Sequence, residues 1–312
     1  MLRYARLVEH PRKLFRMTSL TVEQFQTLTA RLLPLWEQAE RDRLSRRRRR
    51  HAIGQGRKYK LATLADKLLV PLVFYRFYLT DELLGWLVGL DASNVCRLLQ
   101  RLEPLLEHAA DPALRLPLRR QRPAGTKKVG TWEELVAVCP EFAEVITDAT
   151  EQPRQRPPRR TQRRWYSGKK KRHTIKTQLT ATQAGRILHV SRSVPGRTHD
   201  YRLFQREGTA RQLPPPTRHY ADWGYEGAPA DYPTVAFVLP IKRRRHHRVL
   251  TQAERQFNRA QARLRVRIEH VLSRLKKYQV LLQVYRHRIA DYNRRFRNVA
   301  ALVNFRLALA PG

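Results

Sequence analysis

Five short apolar runs followed by one long amphipathic stretch restrict the second half of this chain to a mixed α/β sheet. The runs cover residues 144–147, 173–180, 187–191, 218–221 and 235–239. They are rich in Val, Ile, Thr and Tyr, whose branched or aromatic side chains suit a pleated, half-buried surface better than a helix. Helical patterns interrupt the series over 199–207 and 251–282, and a last helix is read over 290–309, with Phe296, Val299, Leu302 and Val303 inward. The expected order is three hairpin-linked strands, a helix, a fourth strand, a fifth strand and terminal helices. On 251–282 the buried stripe is read as Phe257, Ala260, Leu264, Ile268, Val271 and Leu275, which recur at near-helical spacing.

The first half reads as all-α. A helix over 21–39 carries Phe25, Leu28, Leu32 and Leu35 on one face. Three more follow. The first, 61–78, carries Leu64, Leu68, Leu72 and Tyr75; the second starts at Thr80 or Asp81, both good cap types; the third, 92–107, has Val95, Leu98, Leu99 and Leu102 inward. The turn Gly89-Leu90-Asp91 between the last two gives 61–107 a helix-turn-helix-like character, a pattern shared with ordinary three-helix bundles. The third helix would expose Asn94, Arg97, Gln100 and Arg101 to bases or phosphates. The domain reading is a helical region 1–110, a Pro- and Arg-rich linker 111–130 and an α/β domain 131–312.

Charge names a class of partner. There are 63 Lys+Arg against 26 Asp+Glu, a formal net charge of +37, with 42% hydrophobic residues to support a core. A sequence pI near 11.4 points to a polyanion, since Lys and Arg neutralise phosphates and release counterions. Anionic membrane is the rival, but no apolar run approaches the ~18–20 residues that a span requires, and the N-terminus has no signal-peptide core. Arg46, Arg47, Arg48, Arg49 and Arg50 form a self-repelling block suited to phosphate contact. Cys96 and Cys139 have no metal-ligand spacing, and His246-His247 within 242–248 reads as a phosphate-binding loop. No G-x-x-x-x-G-K-[ST] motif is present, so no nucleotide cofactor is expected. The expected setting is the cytoplasm, in association with the nucleoid.

Against this excess, three acids stand out. Asp148 closes the run Val145-Ile146-Thr147, Asp222 ends His219-Tyr220-Ala221, and Glu269 lies 47 positions further on, at the edge of the buried stripe of 251–282. Carboxylates converging from two strands and a helix suit a site for two divalent metals, which sit about 3.5–4 Å apart in phosphodiester chemistry. Arg265 and Lys276 fall within about 40° of Glu269 on the helix surface; an ordinary i,i+4 pair would explain Arg265 equally well. Asp200, after His199, competes with Asp222 for the second ligand position, but lies at a helix start, where Asp commonly caps. Lys169, Lys170, Lys171 and Arg172 read as a β-hairpin presenting cations to DNA. Trp223 reads as a packing residue or as a stacking surface for an unpaired base.

These motifs resemble the core of DDE transposases of the insertion-sequence-five and Harbinger-type group. The resemblance rests on Asp148-Ala-Thr-Glu-Gln-Pro, Arg156-Pro157, Trp165-Tyr166-Ser167-Gly168-Lys169-Lys170-Lys171-Arg172-His173-Thr174-Ile175-Lys176, Thr198-His199-Asp200, Ala221-Asp222-Trp223-Gly224-Tyr225-Glu226-Gly227 and Arg265-x₃-Glu269-x₆-Lys276. It is strong over 148–305 and loose over the helical region. It implies a ribonuclease-H-like fold and Asp148, Asp222 and Glu269 as catalytic metal ligands for two Mg²⁺ or Mn²⁺ ions, with His199 and Asp200 in a structural role. It also implies double-stranded DNA as partner, at terminal inverted repeats and target, with a homodimer on the DNA. A nuclease of the same fold and an inactive domesticated DNA-binding protein are the alternative readings. Related enzymes carry Tyr where this chain has Ala262, which leaves one DNA contact near the site in question.

Overall fold

The computed structural model describes residues 1–45, 59–111, 140, 143–212, 217–242 and 249–310. Most of the expected linker, the Arg46–Arg50 block, Cys139 and His246-His247 lie outside the described residues. The chain divides into two compact units: Met1–Pro112 with Lys276–Gln283 and Arg288–Gly312, and Ala113–Leu275 with Val284–His287.

The first unit is helical: α1 (Tyr4–Val8), α2 (Pro11–Thr18), α3 (Val22–Ser45), α4 (Leu64–Phe77), α5 (Asp81–Val88) and α6 (Ala92–Ala110), joined by the last helix of the chain, Ile289–Ala308. Helix starts follow local chemistry. Thr63 Oγ1 accepts from Asp66 N at 3.0 Å and Thr80 Oγ1 from Leu83 N at 3.3 Å, each satisfying an amide that the first turn leaves without a partner. Gly89 ends α5 at φ +75°, a left-handed conformation natural to glycine. The expected inward set of α6, Val95, Leu98, Leu99 and Leu102, is buried, and α4 is enclosed on nearly every side from Leu68 to Tyr75.

A polar network ties the last helix into this unit. Arg295 Nε donates to Glu103 Oε1 at 2.8 Å, with both side chains almost wholly enclosed. Asn298 Nδ2 donates to Tyr75 Oη at 2.8 Å and to Glu103 O at 2.9 Å, and Asn304 Nδ2 to Asp111 Oδ2 at 2.7 Å. The expected α/β domain at 131–312 therefore differs from the observed second unit, because the polar partners of Ile289–Ala308 lie on α4, on α6 and at the end of α6.

The second unit holds the sheet: β1 (Glu144–Pro153), β2 (Tyr166–Ser167), β3 (Arg172–Thr182), β4 (Ile187–Val190), β5 (Val194–Pro195), β6 (Arg218–Tyr220) and β7 (Ala236–Val238). All five expected strands are present, and β2 and β5 are short additions. The order is β2-β3-β1-β6-β7, with β4 and β5 also pairing with β3. β1 and β3 are antiparallel, whereas β6 runs parallel to β1, and β7 parallel to β6. The result is a mixed ribonuclease-H-like sheet accompanied by helices. Helix α7 (Asp200–Glu207) buries Leu203 and Phe204, and the Phe204 ring meets His219, Tyr225 and Phe237 edge-on at 5.2, 5.6 and 5.8 Å. Helix α8 (Gln252–Lys276) buries Ile268, Val271, Leu272 and Leu275. The expected stripe holds only in this second half: Phe257 is 42% exposed and Ala260 is exposed too. Helical spacing predicts which residues share a face, not how far along the helix that face is covered.

Candidate active site

The register of two parallel strands sets the geometry. Ile146 of β1 is level with Tyr220 of β6, so Asp148 and Asp222, each two residues further on, are level in turn. Side chains alternate along extended chain, and neighbouring strands lie about 4.8 Å apart, so the two carboxylates leave the same face side by side. Asp222 stays extended, with φ −90° and ψ −178°, before the chain turns at Trp223–Tyr225. Its Oδ1 accepts from Gly224 N at 2.8 Å, and Asp148 Oδ1 accepts from Ala149 N at 2.7 Å.

Asp200 completes a three-aspartate cluster. A Cβ placed on Gly224 would sit 2.9 Å from Asp222 Oδ1 and 3.5 Å from Asp200 Oδ2, so both carboxylates close on this position and a methyl there would push on Asp222. The Asp148 carboxyl is pushed up to about 6, mainly by burial, with the Asp222 and Asp200 charges adding to it; the Ala149 N–H and the Arg265 guanidinium act in the opposite direction. Beneath the cluster lies Tyr225, fully buried, its hydroxyl donating to Gln178 Oε1 at 3.2 Å. Burial, and then all three aspartates, push the Tyr225 phenol far above its ordinary range.

The three aspartates are not equivalent. Asp200 is ion-paired: Lys176 Nζ donates to its Oδ1 at 2.6 Å and to Thr198 O at 2.6 Å, and lies 3.4 Å from Glu151 Oε1. Thr174 Oγ1 donates to the other Glu151 oxygen at 2.7 Å. Asp200 thus spends its first oxygen on Lys176, while the helix-capping position falls to His199, with no side-chain bond. Asp148 and Asp222 have no ion pair among the described residues. Sequence reasoning missed Lys176 and Glu151, although a lysine inside the apolar run 173–180 was a signal that a buried acid had to face it.

The DDE superfamily endonuclease family matches residues 147–304. A protein of Microchaete diplosiphon named as a transposase for insertion sequence element IS702 is 31% identical over 254 residues, spanning 81% of this chain and 84% of its own. The chain belongs to the DDE superfamily. A Streptomyces albus G protein named as a transposase for insertion sequence element IS112 is 24% identical over 237 residues, 76% of this chain and 77% of its own.

In this DDE protein Glu269 lies on α8 one turn beyond Arg265 and is exposed. Among the described residues, no three His, Cys, Asp or Glu side chains converge closely enough to hold an ion as they stand. The donor chemistry nevertheless suits a hard divalent cation: two neighbouring carboxylates without an ion pair among the described residues, both half-buried and one repelled by its neighbours' charges, call for positive charge. Among the described residues, no helix is long and apolar enough to cross a membrane.

The expected DNA contacts divide into free and committed groups. Lys169, Lys170, Lys171 and Arg172 are exposed on the β2–β3 hairpin, with Ser167 Oγ accepting from Lys170 N at 3.2 Å to hold the turn. Asn94 and Arg97 are exposed on α6, linked by a 3.1 Å bond. Arg101 is committed within the bundle: it pairs with Glu40 and stacks 4.6 Å over Trp36. Lys276 is exposed at the end of α8. Trp223 is half-buried, with Lys242 Nζ 5.3 Å from its ring centre.

Proposed function

We propose that this DDE protein is a DNA transposase that binds the ends of its own element, cuts them, and joins the freed 3′ ends to target DNA. The observation that carries this reading is the parallel pairing of β1 with β6, which brings Asp148 on β1 near Asp222 two residues past the end of β6, with the Arg265 charge acting on Asp148. The names borne by its two relatives support the same reading. Asp148, Asp222 and Glu269 would hold the Mg²⁺ or Mn²⁺ ions, two per site. Bound there, divalent ions supply Lewis-acid stabilisation of the phosphoryl oxygens and a more acidic attacking water.

The chain's own residues do the rest. Asp148 and Asp222 are fixed by the Ala149 and Gly224 amides, so the donors need no reorganisation at the moment of reaction. The Lys176 ion pair supports a structural role for Asp200 beside His199. Arg265, whose charge acts on Asp148, would pair with the scissile phosphate, with Lys276 further along the same helix. Lys169–Arg172 would hold the backbone near the site, while Asn94, Arg97 and the Arg46–Arg50 block would contact the duplex end. Holding two ends at once requires a homodimer on the DNA. The setting is the bacterial cytoplasm, at the nucleoid.

The test is a Mg²⁺-dependent cleavage and joining assay on DNA flanking the gene, with wild type, Asp222→Asn and Asp200→Asn. Joined products that vanish with Asp222→Asn and persist with Asp200→Asn are expected. Undiminished activity of Asp222→Asn would overturn the metal-ligand assignment, and metal-dependent cutting without joining would make the protein a nuclease.

A further inference from the structure

Between Glu151 and Asp200 the chain contains 48 residues with no Asp or Glu and 14 Lys or Arg. This stretch folds into β2 to β5 and the segment before them, and leaves a cavity of about 630 Å³ at the β2 edge of the sheet. Arg156, Arg163, Tyr166, His173 and Arg197 line it, together with Gln162. The size suits a small ligand. The lining carries no acid, and none of the three arginines has a carboxylate partner among the described residues.

The walls are prepared for two kinds of contact. Arg156 Nη2 donates to Gln162 Oε1 at 3.2 Å, and Gln162 Nε2 donates in turn to Pro157 O at 3.1 Å, which holds that arginine at the rim. Arg163 and Arg197 are exposed. Tyr166 is 42% exposed, yet its ring is held by an edge-to-face contact with His173, centroids 5.7 Å apart. The neighbouring Trp165 is already covered by Arg154 at 4.2 Å, so Tyr166 is the aromatic that remains open to the cavity. Guanidinium donors recognise phosphate, and an exposed aromatic ring supported on one edge is a stacking platform for a base that has left its duplex.

We propose that this cavity binds one unpaired nucleotide of a DNA strand, with its base stacked on Tyr166 and its flanking phosphates held by Arg156, Arg163 and Arg197. The assignment rests on the DNA-processing reading above and adds to it a preference for locally unpaired DNA. A fully stacked duplex offers no base face to Tyr166, so the ring contributes only where a nucleotide is extruded. The arginines contribute on any DNA.

The experiment measures binding of the full chain by fluorescence anisotropy to two labelled oligonucleotides, a perfect duplex and the same duplex with one extra unpaired 2-aminopurine. Wild type is expected to prefer the bulged duplex and to quench its 2-aminopurine. Tyr166→Ala should abolish the quenching and lower affinity for the bulged duplex roughly ten-fold, leaving the perfect duplex unchanged. Tyr166→Phe should restore both signals, and Arg163→Gln with Arg197→Gln should weaken both DNAs together. Equal affinities of wild type for the two duplexes, or a Tyr166→Ala protein that still quenches, overturns the pocket while leaving DNA processing intact. Displacement of the bulged duplex by a free mononucleotide at comparable concentration would reassign the cavity to a soluble nucleotide. Failure of wild type to bind either duplex would remove the DNA reading itself.

Discussion

Asp148→Asn should make the metal-free protein more stable while destroying its response to Mg²⁺. Burial and the charges of Asp222 and Asp200 raise the Asp148 carboxyl from 3.8 to about 6. The folded chain therefore binds this proton more tightly than the unfolded chain does. Stability falls as pH rises from about 4 to about 6, and the full cost, about 3 kcal/mol, is present at neutral pH. Asparagine keeps the Oδ1 that accepts from Ala149 N and carries no charge. Some of the gain is offset because its amide hydrogens need partners, so about 1–3 kcal/mol of stabilisation is expected, equivalent to several degrees in Tm. Excess Mg²⁺ at about 100 times its Kd should add about 2.7 kcal/mol to wild type and far less to the variant. Thermal melting at about pH 5 and about pH 7.5, with EDTA or with Mg²⁺, resolves the four cases. Without metal the variant's advantage should be largest at the higher pH and about half as large at about pH 5. A variant less stable than wild type at the higher pH without metal, or equally stabilised by Mg²⁺, would refute the reasoning.

Four other substitutions test the surroundings. Gly224→Ala places a methyl 2.9 Å from Asp222 Oδ1 at a position whose backbone tolerates alanine; cleavage should fall at least ten-fold, because displacements of about 1 Å can cost about 100-fold, while the melting temperature stays close to wild type. Lys176→Met leaves Glu151 and Asp200 without their cation, and should cost about 3 kcal/mol by chemical denaturation and shift the Mg²⁺ concentration needed for cleavage; unchanged values of both would remove Lys176 from the site's support. Glu103→Gln strips the buried Arg295 of its charge partner and should cost about 3–5 kcal/mol, with an intact melting curve counting against that network. His219 is buried, bonded to Thr147 Oγ1 at 2.6 Å, and pushed down to about 3 by burial. It stays neutral in the fold while the unfolded chain protonates near 6.5, so its contribution is lost as pH falls from about 6.5 toward 3. His219→Phe should flatten that acid limb in a pH series of denaturation midpoints.

The legible parts of this molecule were those in which a local pattern decides a local outcome. The strands announced themselves because β-branched residues were grouped between turns, and α5 and α6 because Thr80 and Gly89 sit where a helix must start and stop. Asp148 and Asp222 could be picked out because each follows a short apolar run. Their level placement depends on the β1–β6 register, a pairing across some 70 residues that no local pattern carries. The same limit explains the last helix. Phe296, Val299, Leu302 and Val303 marked its buried face, but its place in the fold is decided by Arg295 meeting Glu103 and Asn304 meeting Asp111, partners nearly 200 residues away. Arg101 shows the converse: its position on α6 suggested an outward cation, and Glu40 and Trp36 claim it.

Charge accounting then separates structural acids from chemical ones. In a chain with 63 Lys and Arg, 26 Asp and Glu can easily be paired, and the enclosed acids mostly are. Glu103 has Arg295, Glu107 has Arg297, and Glu151 and Asp200 share Lys176. Asp148 and Asp222 sit next to each other with amide donors but no ion pair. Even partial burial without a partner costs a carboxylate, and no Lys or Arg occurs in the segments 129–153 and 219–241 that carry these two. A fold that keeps these two acids adjacent and unpaired gives up stability at that point, and a bound divalent cation would return it. Asp148→Asn therefore tests more than one residue: it asks whether the unpaired charge of this site is the cost of its chemistry.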